Sequence, residues 1–159
     1  GGFAEYVRVS ENSLVGLNPG TDTSLACIYG CPMGVTLHAL RDAGDLKAGE
    51  TVLITGAGGG IGVHAVQIAR ASGARVIAVT TSPEKESRIR ELGAHEVITA
   101  PDLDFGHLVM ALTDDRGVEV VLNAVGTLAF KSCWTGMSQY GRMVMVGQLG
   151  RGEFRMFGR

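Results

Sequence analysis

Thr51-Val-Leu-Ile-Thr-Gly-Ala-Gly-Gly-Gly-Ile-Gly62 is the stretch that decides the reading of this 159-residue chain. Its first five residues are apolar and β-branched, which predicts a strand. A helix should leave its far end, because Ile61, Ala65, Ile68 and Ala69 share one face and Gly73 closes the segment. The glycines between strand and helix allow a tight turn and let backbone N–H groups approach a bound group closely. The helix N-terminus adds partial positive charge at the same point, which suits a pyrophosphate. The Gly-x-Gly-x-x-Gly pattern is present with its first glycine replaced, as Ala57-x-Gly59-x-x-Gly62. Gly62 should bring the helix close to the strand. The alternative is a turn without a ligand, but three consecutive glycines lose much backbone freedom on folding unless a close approach needs them.

Outward from this loop the same alternation continues. Thr51–Thr55, Arg75–Thr80, Glu96–Thr99, Val118–Leu122 and Arg142–Val146 are short runs, nearly continuous in Val, Ile and Leu. Strands buried on both faces of a parallel sheet read this way. Helical spacing fills the gaps. A second helix starts at Ser82-Pro83, with Ser82 as its cap, and stops at Gly93. A third carries Phe105, Leu108, Val109 and Leu112, and a fourth carries Phe130, Trp134 and Met137, with Trp134 and the methionines as core stripes. Strand and helix in alternation predict an α/β fold, a Rossmann-type doubly wound parallel sheet. It is incomplete at the last strand, which Glu153–Phe157 would begin. Gly2–Val9 alternates and predicts one more strand without visible partners. Ser24 to about Ala43 reads as helix, interrupted around Gly30–Gly34.

Ligands in such sheets bind outside the carboxyl ends of the strands. The loop residues Ala57, Gly58, Gly59, Gly60 and Ile61 are therefore candidates for the pyrophosphate. The second strand ends in Thr80-Thr81-Ser82, followed by Lys85 and Arg88, where an NAD-preferring site would carry an acid for the ribose 2′-hydroxyl. Hydroxyl donors and a cation suit a 2′-phosphate instead, so NADP(H) is favoured over NAD(H). Ser82 as a cap and Lys85 as a solvated residue is the plainer alternative. Asn123 to Gly126, with Asn123 and Val125 as the expected contacts, and Gly147-Gln148 close the later strands and are candidates for the nicotinamide end. Ordinary turn chemistry explains Gly126 and Gly147 equally well.

Composition narrows the class. Glycine accounts for 24 residues, roughly twice its usual share, yet no triplet period exists and hydrophobic residues are plentiful, which excludes collagen and disorder. The 14 basic and 16 acidic residues give a net charge of −2, so nothing favours nucleic acid or a membrane surface as partner. No apolar run reaches the ~18 residues of a membrane span. Cys27, Cys31 and Cys133 form no disulfide framework, which fits a reducing, cytoplasmic setting. Cys27 and Cys31 are expected as buried thiols. His38 and His64 fall in apolar helical settings, and His95 and His107 read as surface. No nucleophile–base pair is visible, so no catalytic residue is identified.

These residues resemble the medium-chain dehydrogenase/reductases, which include zinc alcohol dehydrogenases, quinone oxidoreductases and enoyl-thioester reductases. Gly1–Val9 is similar to the last strand of that family's catalytic domain, and Cys31–Leu40 to the segment leading into its cofactor domain. Gly49–Lys85 resembles its nucleotide-binding core, and Gly117–Gly126 and Gly141–Leu149 its later strands. The three-glycine loop looks most like quinone oxidoreductase and acryloyl-CoA reductase members. Asn123 departs from the acid common there but is similar to the enoyl reductase form.

The resemblance implies residues 1–20 as a remnant of a catalytic-domain strand and 21–159 as the NAD(P)-binding domain, with a linking helix over 21–43 and a core over 44–150. It implies an oxidoreductase that transfers hydride between nicotinamide and an alcohol or carbonyl, a quinone or an enoyl thioester. The alternatives are a nucleotide-binding module without turnover of its own, or a fold of this kind binding S-adenosylmethionine. By resemblance Cys31 falls on a zinc-ligand position whose partners are not in this chain, so zinc belongs only to a longer parent. By resemblance too, Thr36 lies near the nicotinamide, the substrate is a small molecule, and pairing through edge strands leaves a homodimer open.

Overall fold

The structure, a computed structural model, describes residues 3–147. Five strands form one parallel sheet: β1 (Thr51–Thr55), β2 (Arg75–Thr80), β3 (Glu96–Thr99), β4 (Val118–Asn123) and β5 (Met137–Met145), in the order β3-β2-β1-β4-β5. The expected doubly wound sheet is borne out. The reversal of strand order falls at β1, so the glycine loop leaves the sheet where β2 and β4 diverge on either side of it.

The strands are apolar throughout because both faces are covered. Val52, Ile54, Val76, Ala78, Val120 and Leu122 face Ala65, Val66 and Ala69 of α3 (Gly60–Ala71) and Ile89 of α4 (Glu86–Glu91). Leu53, Ile77, Val79 and Val121 face Phe105, Val109 of α5 (Gly106–Leu112) and Cys133 of α6 (Phe130–Gly136). Leu53 and Ile54 are fully buried on opposite sides of one strand. Each such side chain stabilises the fold by about 1.5–3 kcal/mol relative to exposure.

Ahead of the sheet lies an interrupted helical segment, as the sequence predicts. Asp22 caps α1 (Thr23–Ala26), a wide π turn spans Tyr29–Met33, α2 covers Gly34–Leu37, and a second π turn covers His38–Ala43. Pro32 sits inside the first wide turn, where its missing N–H leaves no ladder donor.

Four expectations fail. Phe3–Val9 forms no strand and is exposed, because alternation without a neighbouring strand leaves the ladder groups unpaired. β5 begins at Met137 rather than Arg142, with an irregular register opposite Val118 to Val120. Tyr140 takes a positive φ of 64° there, which makes Ser-Gln-Tyr-Gly read as a turn. Ser82 makes no capping bond; its N–H instead donates to Thr80 Oγ1 at 3.1 Å. Trp134 is 59% exposed, stacked on Phe130 at 6.0 Å on the outer face of α6. The strand proposed over Glu153–Phe157 lies outside the described residues.

Candidate functional site

The glycine loop is held at both ends. Gly56 takes a φ of +65°, a left-handed conformation that glycine adopts without strain. The Ala57 N–H donates to Val79 O at 3.0 Å and the Gly59 N–H to Gly56 O at 2.9 Å. Gly59 is the N-cap of α3, with φ −95° and ψ 174° and no side-chain cap. The first-turn N–H groups of Gly60, Ile61 and Gly62 therefore have no intrahelical acceptor and form an anion-facing end. Gly62 makes this possible. A Cβ there would meet the backbone of Gly56 and stand 2.5 Å from Ala57 Cα, so only glycine lets the helix start against the loop.

This helix end lines a cleft of about 420 Å³ at the carboxyl ends of the strands, within the size range of small-molecule sites. Gly58, Gly59, Gly60 and Ile61 line its middle, and Thr80, Thr81, Ser82 and Lys85 line the side above β2. Lys85 reaches back over the loop: a Cβ on Gly58 would stand 2.6 Å from Lys85 Cδ and 3.5 Å from Thr80 Oγ1. Among the described residues no carboxylate pairs with the Lys85 ammonium. On the opposite side, above β4, Ala124 and Val125 complete the wall.

Gly56, Val79 and Leu103 also line the cleft, and the sequence does not mark them as site residues. Gly56 belongs to the loop itself. Leu103 has a φ of +61°, unusual for a branched side chain. Ser132 on α6 holds that turn, donating to Leu103 O at 2.8 Å while its hydroxyl accepts from the Phe105 N–H at 3.3 Å. The pairing spans 29 residues, beyond the reach of any local pattern.

Other candidates are placed elsewhere. Ala57 is fully buried beneath the loop. Asn123 is also fully buried and does not line the cleft; its polar atoms are taken by Thr55 and by the backbone of Val125 and Gly126. Gly147 packs on β4's exit, where a Cβ would stand 2.8 Å from Ala124 C. Gln148 lies outside the described residues. Thr36 is buried, its hydroxyl donating to Pro32 O at 2.6 Å.

Cys27 and Cys31 are exposed, contrary to expectation, because their helical segment presents that face outward; Cys133 is buried. His38 is exposed as well, with Nδ1 2.9 Å from Asp42 Oδ2. Among the described residues no three His, Cys, Asp or Glu side chains come together in a way that could hold a metal ion. Cys31 therefore has no co-ligands there, and a zinc site does not fit the described residues by themselves. Nor is any helix among them long and apolar enough to cross a membrane.

A parallel sheet reversing at a glycine loop, with an uncapped helix end facing a strand-end cleft, defines a dinucleotide-binding domain. The chain belongs to the zinc-binding dehydrogenase family, whose pattern residues 60–157 match. It is 37% identical over 153 residues to an acryloyl-coenzyme A reductase of Sulfurisphaera tokodaii, covering 94% of this chain and 43% of that relative. It is also similar to the JamJ enoyl reductase structure, with a TM-score of 0.82 and 28% identity over 91% of this chain and 44% of that one. A mycobacterial protein solved with NADPH, Rv1454c, superposes with a TM-score of 0.77 at 25% identity, covering 83% of this chain and 41% of that one. The resemblance to medium-chain oxidoreductases is thus borne out, and the chain spans less than half the length of these relatives.

Proposed function

We propose that this chain is the NADP(H)-binding part of an oxidoreductase that moves a hydride between nicotinamide and a small molecule. That molecule is an enoyl thioester, a quinone, or an alcohol–carbonyl pair. One observation carries the reading: the Lys85 side chain lies over Gly58, beside Thr80, at the edge of a cleft floored by the N-terminus of α3. The pyrophosphate fits the Gly59–Ile61 amides, and the 2′-phosphate fits the corner made by Thr80, Thr81, Ser82 and Lys85. The nicotinamide then extends over β4 toward Val125. When bound, the nicotinamide supplies the hydride, and the protein's part is to hold and orient it.

The NADPH-bound relative, the acryloyl-coenzyme A reductase and the enoyl reductase support the same class. Residues 1–20 belong in this reading to a neighbouring catalytic domain and 21–159 to the cofactor domain. Cys31 would take part in zinc binding only with ligands from outside the chain. The setting is cytoplasmic, and a homodimer through the sheet edge fits the same family pattern.

A second reading has its own support. Among the described residues no His, Cys, Asp or Glu lines the cleft, so this chain alone would bind nucleotide without turning it over. Calorimetric titration separates the outcomes. NADPH is expected to bind about tenfold or more tightly than NADH, given a charge-assisted contact to the extra phosphate. No binding of either at millimolar concentration would overturn the cofactor assignment. Oxidation of NADPH by this chain with quinones or 2-enoyl thioesters would overturn the binding-only reading.

A further inference from the structure

The cleft is walled above β4 by a loop whose geometry is set by a polar pair beneath it. Thr55 ends β1 and Asn123 ends β4, and the two are cross-strand neighbours. Both are fully buried. Thr55 Oγ1 donates to Asn123 Oδ1 at 3.0 Å and accepts from the Ala124 N–H at 3.1 Å. Asn123 Oδ1 also accepts from the Val125 and Gly126 N–H groups at 3.0 and 2.8 Å, and Nδ2 donates to Gly126 O at 2.9 Å. The Asn123 carbonyl accepts from the Val146 N–H at 3.0 Å as β5 leaves the sheet. Val125 packs against the phosphate loop, with its Cγ2 3.3 Å from where a Gly56 Cβ would be.

A buried hydroxyl and amide are unfavourable in a core unless fully bonded. Two apolar residues would fill this volume as well. What the polar pair adds is a fixed path for Ala124, Val125 and Gly126, one side of which faces the cleft. We propose that Thr55 and Asn123 are positioning residues that hold the Ala124-Val125-Gly126 loop at the height where it meets the nicotinamide half of the dinucleotide, without touching that half themselves. The inference rests on the NADP(H) reading. Because the phosphate corner lies above β2 and the braced loop above β4, the two halves of the ligand report on different parts of the site.

The test uses the full chain with Thr55→Val, which keeps the shape and removes the hydroxyl, and Thr55→Ser, which keeps the hydroxyl. Three readouts are taken: affinity for NADPH, affinity for adenosine 2′,5′-bisphosphate, which lacks the nicotinamide half, and amide hydrogen exchange of the ligand-free protein. Thr55→Val is expected to weaken NADPH about tenfold, the consequence of losing bonds beneath the loop. The bisphosphate affinity should stay within about twofold. Exchange should quicken at Ala124 to Gly126 and not at Val63, whose N–H is bonded to Gly59 O, and Thr55→Ser should restore both the NADPH affinity and the exchange. Should Thr55→Val fail to fold, Thr55→Ala, which removes the hydroxyl without putting a methyl in its place, gives the same split. Equal loss for both ligands, or unchanged exchange at Ala124 to Gly126, overturns the positioning role. If the unaltered protein binds neither ligand while its braced loop exchanges slowly, the cofactor reading falls and takes this role with it.

Discussion

The side chain of Lys85 lies across Gly58, so close that a Cβ there would stand 2.6 Å from Lys85 Cδ. A cation from the β2–α4 connection is thereby brought onto a loop that follows β1. The lysine does not reach this place through an ion pair; its stem rests on Gly58, a loop position that has no side chain. Replacing Lys85 by Gln keeps the stem and removes the charge. The expected result is a loss of about tenfold or more in NADPH affinity with NADH affinity little changed, and a weaker salt dependence. Gly58→Ala should shift the flexible stem and give a smaller loss of the same sign. Equal weakening of NADPH and NADH in Lys85→Gln would show that the charge does not face the 2′-phosphate.

Gly62 presents the opposite case, because what surrounds it is backbone. A Cβ at Gly62 would meet the Gly56 carbonyl and come 2.5 Å from Ala57 Cα and 2.8 Å from Ala57 C. No side-chain rotation relieves such a contact, so either the helix or the loop must move. Gly62→Ala is expected to lower stability by about 2 kcal/mol or more, as overpacking against rigid structure does. Urea unfolding measures this. A variant within about 0.5 kcal/mol of the parent, the range of ordinary surface changes, would mean the loop relaxes freely.

Much of this architecture was legible in the sequence because two-sided burial leaves a plain mark. Thr51–Thr55 and Arg75–Thr80 are strands with the boundaries that their Val and Ile content predicts. The glycine loop was equally legible, since strand, glycines and helix are contiguous. What escaped depends on contacts between distant segments. Leu103 enters the cleft because Ser132, far along the chain, holds its turn. By sequence alone, the place of Asn123 at a strand end makes it a candidate cofactor contact. Its neighbour Thr55, 68 residues earlier, turns it inward into a brace. The helix at Trp134 carried an apolar residue that the fold leaves outside, since spacing alone does not say which face is inner.

The three thiols should differ in reactivity by position. Cys27 and Cys31 are exposed, whereas Cys133 is packed under the sheet on α6. Burial pushes the Cys133 thiol up to about 12, so it is neutral and shielded at any ordinary pH. With a disulfide reagent near pH 8, two thiols per chain should react at once and the third only after denaturant is added. Three equal rates would contradict the packing of α6 on the sheet.

Glu50 and Arg142 tie the start of β1 to the edge strand and give the fold a pH-dependent contact. Arg142 donates to Glu50 Oε2 at 2.7 Å and to Gly44 O at 2.7 Å. Burial raises the Glu50 carboxyl, but the Arg142 guanidinium and the Lys47 N–H outweigh it and hold the group below its ordinary 4.5. A carboxylate depressed by folding contributes stability that is fully present above its unfolded value and is lost as pH falls through the folded one. Glu50→Gln should therefore destabilise by about 1 kcal/mol at neutral pH, the scale of a partly exposed ion pair. The gap between variant and parent should close progressively below about pH 4.5, as both come to carry a neutral side chain. Urea midpoints at a series of pH values measure the gap, and one that stays constant down to about pH 3 would place the acid sensitivity of this fold elsewhere.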